Sequence, residues 1–166
     1  MLGEEEVSDD ERSFSSKSPL RRITVILAGV TMNIIFAIVA FSIIISNRGY
    51  TEARISKLEP NTPAIESGLQ VGDKILAIDG SRVFTTTDVS MGIQLSKGKT
   101  VDLLVNRNGK KENIKVTPRL VDKDGTQVYQ VGFYYTPVEN PTVLESIKES
   151  FNETISLVTQ TYKSLK

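Results

Sequence analysis

Three stretches of this chain differ in their pattern of apolar and polar residues, and the first is continuously apolar. Residues 23–46 contain no charged side chain. At about 1.5 Å per helical residue, such a run can cross a hydrocarbon core of about 30 Å. The run is too long for a signal peptide, and its end lacks a small-residue cleavage pattern. The pattern therefore predicts a transmembrane helix over residues 21–46.

Short strands are predicted beyond the span. The segment "EARISKLEP" alternates apolar and polar residues, and "KILAI" is typical of a buried strand between the turns Gly72-Asp73 and Asp79-Gly80. Asn108-Gly109 predicts a tight hairpin inside "KTVDLLVNRNGKKENIKVTP". The segment "TQVYQVGFYY" predicts one further strand.

Helices are predicted at three places after the span. "TPAIESG" begins with a proline and ends at a glycine, and "TTDVSMGIQLSKG" can be capped by Asp88 or by a threonine just before it. In that second helix Val89, Gly92 and Ile93 share one face. After Pro141, apolar residues recur every three or four positions, which predicts an amphipathic helix. These residues are Val143, Ile147, Phe151, Ile155, Val158, Tyr162 and Leu165.

The predicted fold class is therefore α+β, in four parts. A polar segment covers residues 1–20 and has too few apolar residues to form a core. The transmembrane helix, residues 21–46, is followed by a small antiparallel β-unit with two helices at residues 50–136 and by the amphipathic helix at residues 141–166. Arginines at the start of the span slightly favour a cytoplasmic amino terminus.

Two residues inside the span suggest helix packing. Asn33 is costly in hydrocarbon unless a neighbouring helix offers a hydrogen-bond partner. Gly29 lies one turn earlier on the same face and would let another helix approach closely. We interpret Gly29 and Asn33 as a packing site for membrane helices outside this chain. The alternative is an isolated anchor that tolerates one asparagine.

Composition excludes most catalytic chemistry. The chain has no His and no Cys, so HExxH zinc ligation, a Ser-His-Asp triad and a thiolate nucleophile cannot form within it. A Ser-Lys pair remains chemically possible, but no spacing marks one. With 20 basic and 20 acidic side chains, the chain has no basic excess that would indicate nucleic-acid binding. We expect the chain to be inactive alone.

The segment "PNTPAIESGLQVGDKILAIDG" resembles the core of a PDZ domain in the circularly permuted form common in bacterial envelope proteins. This resemblance implies a small antiparallel β-sandwich or barrel with two helices. It also places "QVGF" at the carboxylate-binding loop of that family, where successive N–H groups form a nest for an anionic chain end. These loop residues are Gln130, Val131, Gly132 and Phe133.

The same resemblance implies a groove for an extended peptide. The strand after the loop, which carries Tyr135, would offer its edge to the peptide, with Val131 and Phe133 lining the pocket for its terminal side chain. The helix that carries Val89 and Ile93 would form the opposite wall. Gln130 stands where the family has its first glycine, and the helix has no histidine. Both departures favour edge-strand binding over recognition of a free carboxylate. The alternative is that "VGFYY" only completes the sheet.

The flanking residues resemble a second family, the bacterial site-2 proteases of the regulator-of-sigma-E type. The second membrane helix of that family begins with a sequence motif that this chain matches, except that Val30 stands where the family usually has proline. The matching residues are Phe14, Lys17, Arg22, Ile23, Ala28, Gly29 and Asn33. This resemblance implies zinc in the intact enzyme, on ligands from helices that this chain lacks. Other membrane helices, the lipid bilayer and a peptide or single-span membrane protein are the implied partners. Such substrates are anti-sigma factors or signal-peptide remnants.

Two functions remain open from the sequence. The first is the non-catalytic central part of an intramembrane zinc metalloprotease in the bacterial inner membrane, whose PDZ domain screens substrates on the extracytoplasmic side. The second is a complete membrane-tethered PDZ adaptor of a secretion or envelope complex. A tethered serine protease of the HtrA type is excluded because the chain has no histidine.

Overall fold

The computed structural model describes residues 18–123 and 125–164, and side chains as far as residue 162. Most of the predicted polar segment 1–20, with Phe14 and Lys17, and also Leu165, lie outside the described residues. The helices are α1 (Pro19–Arg48), α2 (Pro63–Glu66), α3 (Thr86–Leu95) and α4 (Val143–Ser164). The strands are β1 (Tyr50–Leu58), β2 (Lys74–Ile78), β3 (Ser81–Arg82), β4 (Val101–Arg107), β5 (Lys110–Val116), β6 (Arg119–Lys123), β7 (Thr126–Gln130) and β8 (Phe133–Val138).

Helix α1 has two different surroundings along its length. It is long and apolar enough to cross a membrane, and nearly all its side chains up to Phe36 are exposed. Beyond Phe36, one stripe of the helix is partly buried, Ile45 fully so, because α4 packs against it. The helix ends at Gly49, whose φ of 75° and closeness to the Val138 carbonyl leave no room for a side chain.

The main sheet is antiparallel, with the strand order β5-β4-β2-β1-β8, and β3 pairs with β2. The last strand of the chain therefore lies beside the first, at one edge of the sheet. This is the permuted arrangement that the resemblance implied. The hairpin predicted at Asn108-Gly109 joins β4 and β5 in register from Arg107↔Lys110 to Val101↔Val116.

The prediction of one continuous strand over "TQVYQVGFYY" is wrong. The segment forms two strands, β7 and β8, and β7 pairs with β6 in a separate two-stranded sheet. The break falls at Gly132, which has a φ of 93°. Backbone in this left-handed region cannot continue a strand, so the chain changes partners at this point.

The core lies between the main sheet and α3. Val89 and Ile93 are buried, and Gly92 brings α3 close to Ile78, which a Cβ at position 92 would meet at 2.7 Å. The face that the sequence predicted for this helix therefore packs as expected. The fully buried side chains of the core are Ile55, Ile75, Val89, Val101, Leu103, Val105, Val116 and Val131.

A buried ion pair stabilises the turn before β2. One edge of the Arg107 guanidinium donates to both oxygens of the Asp73 carboxylate, with Nη2 2.7 Å from Oδ2 and Nε 2.8 Å from Oδ1. The Asp73 side chain is fully buried. Burial alone would raise the pKa of Asp73, but the hydrogen bonds from Arg107 and from the Gln70 N–H outweigh it and lower that pKa.

Helix α4 turns its small polar residues inward and its apolar residues outward. It begins after a capping box in which the Thr142 N–H donates to the Glu145 carboxylate at 2.8 Å. Ser146, Ser150 and Ser156 are buried, and the Ser150 and Ser42 hydroxyls are 2.7 Å apart across the contact with α1. The exposed apolar residues on the outer side are Val143, Leu144, Ile147, Phe151, Leu157, Val158 and Tyr162.

Candidate functional site

A groove of about 130 Å³ lies between α3 and β8. It occurs where the sequence predicted one, at the edge of the main sheet. One wall comes from α3, the other from β8 and the end of β7. Its lining residues are Ser90, Ile93, Gln94, Tyr129, Gln130, Val131, Gly132, Phe133 and Tyr135.

The loop at residues 131–132 has its carbonyl groups occupied. The Val131 carbonyl accepts from the Ala64 N–H at 2.9 Å, and the Gly132 carbonyl accepts from the Glu59 N–H at 3.0 Å. Within residues 18–123 and 125–164, the N–H groups of Val131 and Gly132 donate to no protein acceptor. Two adjacent donors thus remain available to a ligand oxygen, as in the backbone nests that bind anions or carbonyls.

Gly132 shapes this loop in a way that no other residue could. Its φ of 93° is in the left-handed region, and a Cβ there would clash with the Thr62 side chain. Thr62 in turn donates its hydroxyl to the Glu59 carbonyl at 2.7 Å. A substitution at Gly132 would therefore deform the loop itself, in addition to anything it did to a bound ligand.

Strand β8 offers one edge to a ligand. Its other edge is paired with β1 from Phe133↔Leu58 to Val138↔Tyr50. Because β8 is the last strand of the main sheet, an extended segment could add to it by main-chain hydrogen bonds. Pro137 has no N–H, so the useful part of this edge is its first four residues.

Aromatic rings form the floor of the groove. The rings of Phe133 and Tyr135 meet edge to face, with centroids 5.2 Å apart and planes at 80°. Burial raises the pKa of Tyr135 to about 12, so its hydroxyl stays neutral at physiological pH. With Val131 and Ile93, which are buried, these rings make a pocket suited to an apolar side chain.

Helix α3 contributes a different set of side chains from the set predicted. Ile93 lines the groove as expected, whereas Val89 is completely buried in the core beneath it. Ser90 and Gln94 line the groove instead, and Gln94 fixes β7 because its amide bonds both the N–H and the carbonyl of Tyr129, at 3.0 and 2.7 Å. The spacing of Ser90 and Gln94, one turn apart beside Ile93, is the signal that could have found them.

The carboxylate of Glu59, the residue after β1, is held by hydrogen bonds from residues on either side of the loop. Glu59 accepts hydrogen bonds from the Gln130 side-chain amide at 2.9 Å and from the Tyr134 hydroxyl at 2.5 Å. The hydrogen bond to this carboxylate raises the pKa of Tyr134. Nothing in the sequence marked Glu59, since it joins Gln130 and Tyr134 only after β1 pairs with β8.

The two residues singled out in the span stand apart from the groove. Gly29 and Asn33 are exposed on the part of α1 that α4 does not cover, and a Cβ at Gly29 would meet no atom within 4 Å. Both therefore remain predicted sites for helices outside this chain.

No zinc-binding set is available here. The sequence has no His or Cys, and the described residues contain no cluster of three or more Asp or Glu that could hold a metal ion. The residues present do not fit a catalytic zinc.

Comparison with known proteins agrees with the fold. A family model described as PDZ domain matches residues 22–117. The chain is 43% identical, over its whole length, to a candidate zinc metalloprotease of Clostridium perfringens, and covers 49% of that protein. It is 34% identical to the zinc metalloprotease RasP of Geobacillus kaustophilus, over 90% of this chain and 35% of that protein.

Among solved structures, the PDZ domain of an SdrC-like protein from Listeria innocua aligns with 54% of this chain and 99% of its own, at 21% identity and a TM-score of 0.46. The chain thus spans about half the length of the Clostridium relative and about a third of RasP.

Proposed function

Because the chain belongs to the PDZ domain family, we propose that the groove between α3 and β8 binds an extended peptide segment. The segment adds to the free edge of β8, and one apolar side chain enters the pocket of Ile93, Phe133 and Tyr135. The observation that carries this proposal is a combination seen among residues 18–123 and 125–164: a sheet edge on which no strand pairs, and two N–H groups in the adjoining loop that have no protein acceptor. Such a combination is the physical basis of strand addition.

Within a longer protein, the chain would serve as the central, non-catalytic part of a membrane zinc protease. The similarity of the whole chain to zinc metalloproteases supports this role, and so does the lack of zinc ligands in its own sequence. The zinc and its ligands are then supplied by segments outside these residues. This chain contributes recognition and takes no part in bond cleavage.

The substrates of such an enzyme are exposed segments of membrane proteins, of the anti-sigma-factor or signal-peptide-remnant class. Helix α1 supports a membrane location, because the helix is long and apolar enough to cross a bilayer. The groove would then lie at the extracytoplasmic face and screen segments that approach the membrane.

A blocking substitution on α3 tests the groove directly. Ser90 is exposed, and its hydroxyl makes hydrogen bonds with the Thr86 carbonyl of its own helix, at 3.2 Å, and with the Tyr135 side chain in the groove. Ser90→Trp should therefore fold normally and fill the groove. Leu95→Trp is the matched control, since Leu95 is exposed on the same helix but does not line the groove.

We expect Ser90→Trp to abolish binding of extended apolar peptides to the full chain in detergent micelles, measured by fluorescence anisotropy. Leu95→Trp should bind as the unaltered chain does. Equal peptide binding by both variants would refute the assignment. Gly132→Trp is a poor choice for this test, because the Thr62 contact makes loop distortion unavoidable.

A further inference from the structure

The loop at the end of the groove has a negative charge of its own. Glu59 is joined to the loop by its main chain, through the N–H bond to the Gly132 carbonyl. Its carboxylate is held by Gln130, just before the loop, and by Tyr134, just after Phe133. The carboxylate is thus tied by hydrogen bonds to residues on both sides of the loop that carries the two N–H groups.

No basic side chain in the described part of the chain forms an ion pair with this carboxylate. Among the described residues, none of the ion pairs includes Glu59. Arg119 is engaged with Glu66 and the Asn61 carbonyl. Lys57 is the cation found nearby, and its ammonium lies over the Tyr134 ring, 5.9 Å from the centroid.

This charge decides which ligand oxygen can accept hydrogen bonds from the two N–H groups. A chain-terminal carboxylate would put a second negative charge beside Glu59, and like charges that share a site repel. A carbonyl oxygen within a chain is neutral and would receive the same hydrogen bonds without that cost. Gln130, just before the loop, adds no positive charge to offset the repulsion.

Building on the proposed groove function, we propose that Glu59 is a specificity-determining residue that makes the groove select internal extended segments over free carboxyl termini. The protease would then read stretches within a membrane-protein chain.

Two labelled probes distinguish these ligands. Both have the same decapeptide sequence, which ends in valine and has no charged side chain. One has a free carboxyl terminus and the other a terminal amide, and each is titrated into the full chain in detergent micelles at low ionic strength. The unaltered chain should bind the amide at least as tightly as the acid. Glu59→Gln should tighten binding of the acid by about fivefold, a size typical of exposed charge pairs, and leave the amide unchanged.

Asp102→Asn is the control for the loss of one negative charge, since Asp102 is exposed on β4, three strands from β8. It should change neither affinity. Tighter binding of the acid than of the amide by the unaltered chain would overturn the selectivity proposal, and so would equal effects of Glu59→Gln on both peptides. If neither peptide binds, while the chain remains folded by circular dichroism, the groove function itself fails and this inference fails with it.

Discussion

The Ser156 hydroxyl donates a hydrogen bond to Oδ1 of Asp88 at 2.7 Å, which joins the last helix of the chain to the first turn of α3. Gln160 donates to the same oxygen at 3.1 Å. The other oxygen, Oδ2, accepts from the N–H groups of Phe84 and Thr85. Asp88 therefore both caps α3 and fixes α4, and both Asp88 and Ser156 are buried.

Removing this carboxylate should cost considerable stability. Asp88→Ala would leave the N–H groups of Phe84 and Thr85 without this acceptor and would remove the hydrogen bonds from Ser156 and Gln160 that join α4 to α3. We expect a loss of about 2 kcal/mol in the free energy of unfolding. The measurement is urea denaturation of the full chain in detergent micelles. As a control, Asp122→Ala removes one hydrogen bond, to the Gly125 N–H, in an exposed turn and should cost far less. Equal midpoints for the two variants would contradict the role given to Asp88.

Stability should pass through a maximum as the pH is lowered. Burial is the main cause that raises the pKa values of Glu149 and Glu153 on α4. Between 4.5 and their raised values, the folded chain holds protons that the unfolded chain has lost, so stability increases as the pH falls through this window.

At lower pH, Asp88 has the opposite effect. Burial alone would raise the pKa of Asp88, but its four hydrogen bonds hold that pKa below 3.8. Stability is therefore lost as the pH falls from 3.8 through the folded value. Thermal unfolding followed by circular dichroism over pH 3 to 7 measures both the gain in stability as the pH falls toward 4.5 and the loss of stability below 3.8. Glu153→Gln should reduce only the gain in stability above pH 4.5. An unchanged pH profile for that variant would contradict the role given to Glu153.

The buried ion pair offers a test with a matched exposed pair. Arg107→Leu would strand the Asp73 carboxylate in the core, and breaking such a pair costs about 3 kcal/mol. Arg119→Leu breaks the exposed pair with Glu66, whose nitrogen and oxygen lie 2.6 Å apart, and should cost no more than about 1 kcal/mol. Denaturant titration of both variants compares them. A larger loss from Arg119→Leu would reverse the expected order.

Asn33 should matter for helix packing and not for insertion. We expect Asn33→Leu to leave membrane insertion of this chain unchanged and to lower the thermal stability of the longer membrane protein, because the amide would lose its partner on another helix. Thr31→Leu is the control, since the Thr31 hydroxyl already donates to the Leu27 carbonyl of its own helix at 2.7 Å. Equal melting temperatures for both variants in the longer protein would support the isolated-anchor alternative.

Local signals explain why much of the fold could be predicted. The Asn108-Gly109 turn, the apolar run of the span and the glycines of "GLQVGDKILAIDG" each determine nearby backbone without help from distant residues. The resemblance predicted a binding loop at Gln130–Phe133; the structure has a loop at residues 131–132, between the end of β7 and the start of β8, and binding there stays a prediction. Strand β6 and the break at Gly132 were missed, because a polar five-residue strand and a single left-handed residue carry no strong periodic signal.

By itself, the sequence determined the order of elements, the apolar span and the exclusion of histidine and cysteine chemistry. Only the tertiary structure decided which partners those elements take. It buries the serine face of α4 against α1, because small side chains let two helix backbones approach and Ser150 satisfies its hydroxyl on the Ser146 carbonyl of its own turn. It also brings Glu59, Gln130 and Tyr134 together beside the loop at residues 131–132, since antiparallel pairing of β1 with β8 joins residues more than 70 positions apart. Sequence periodicity cannot specify such distant contacts.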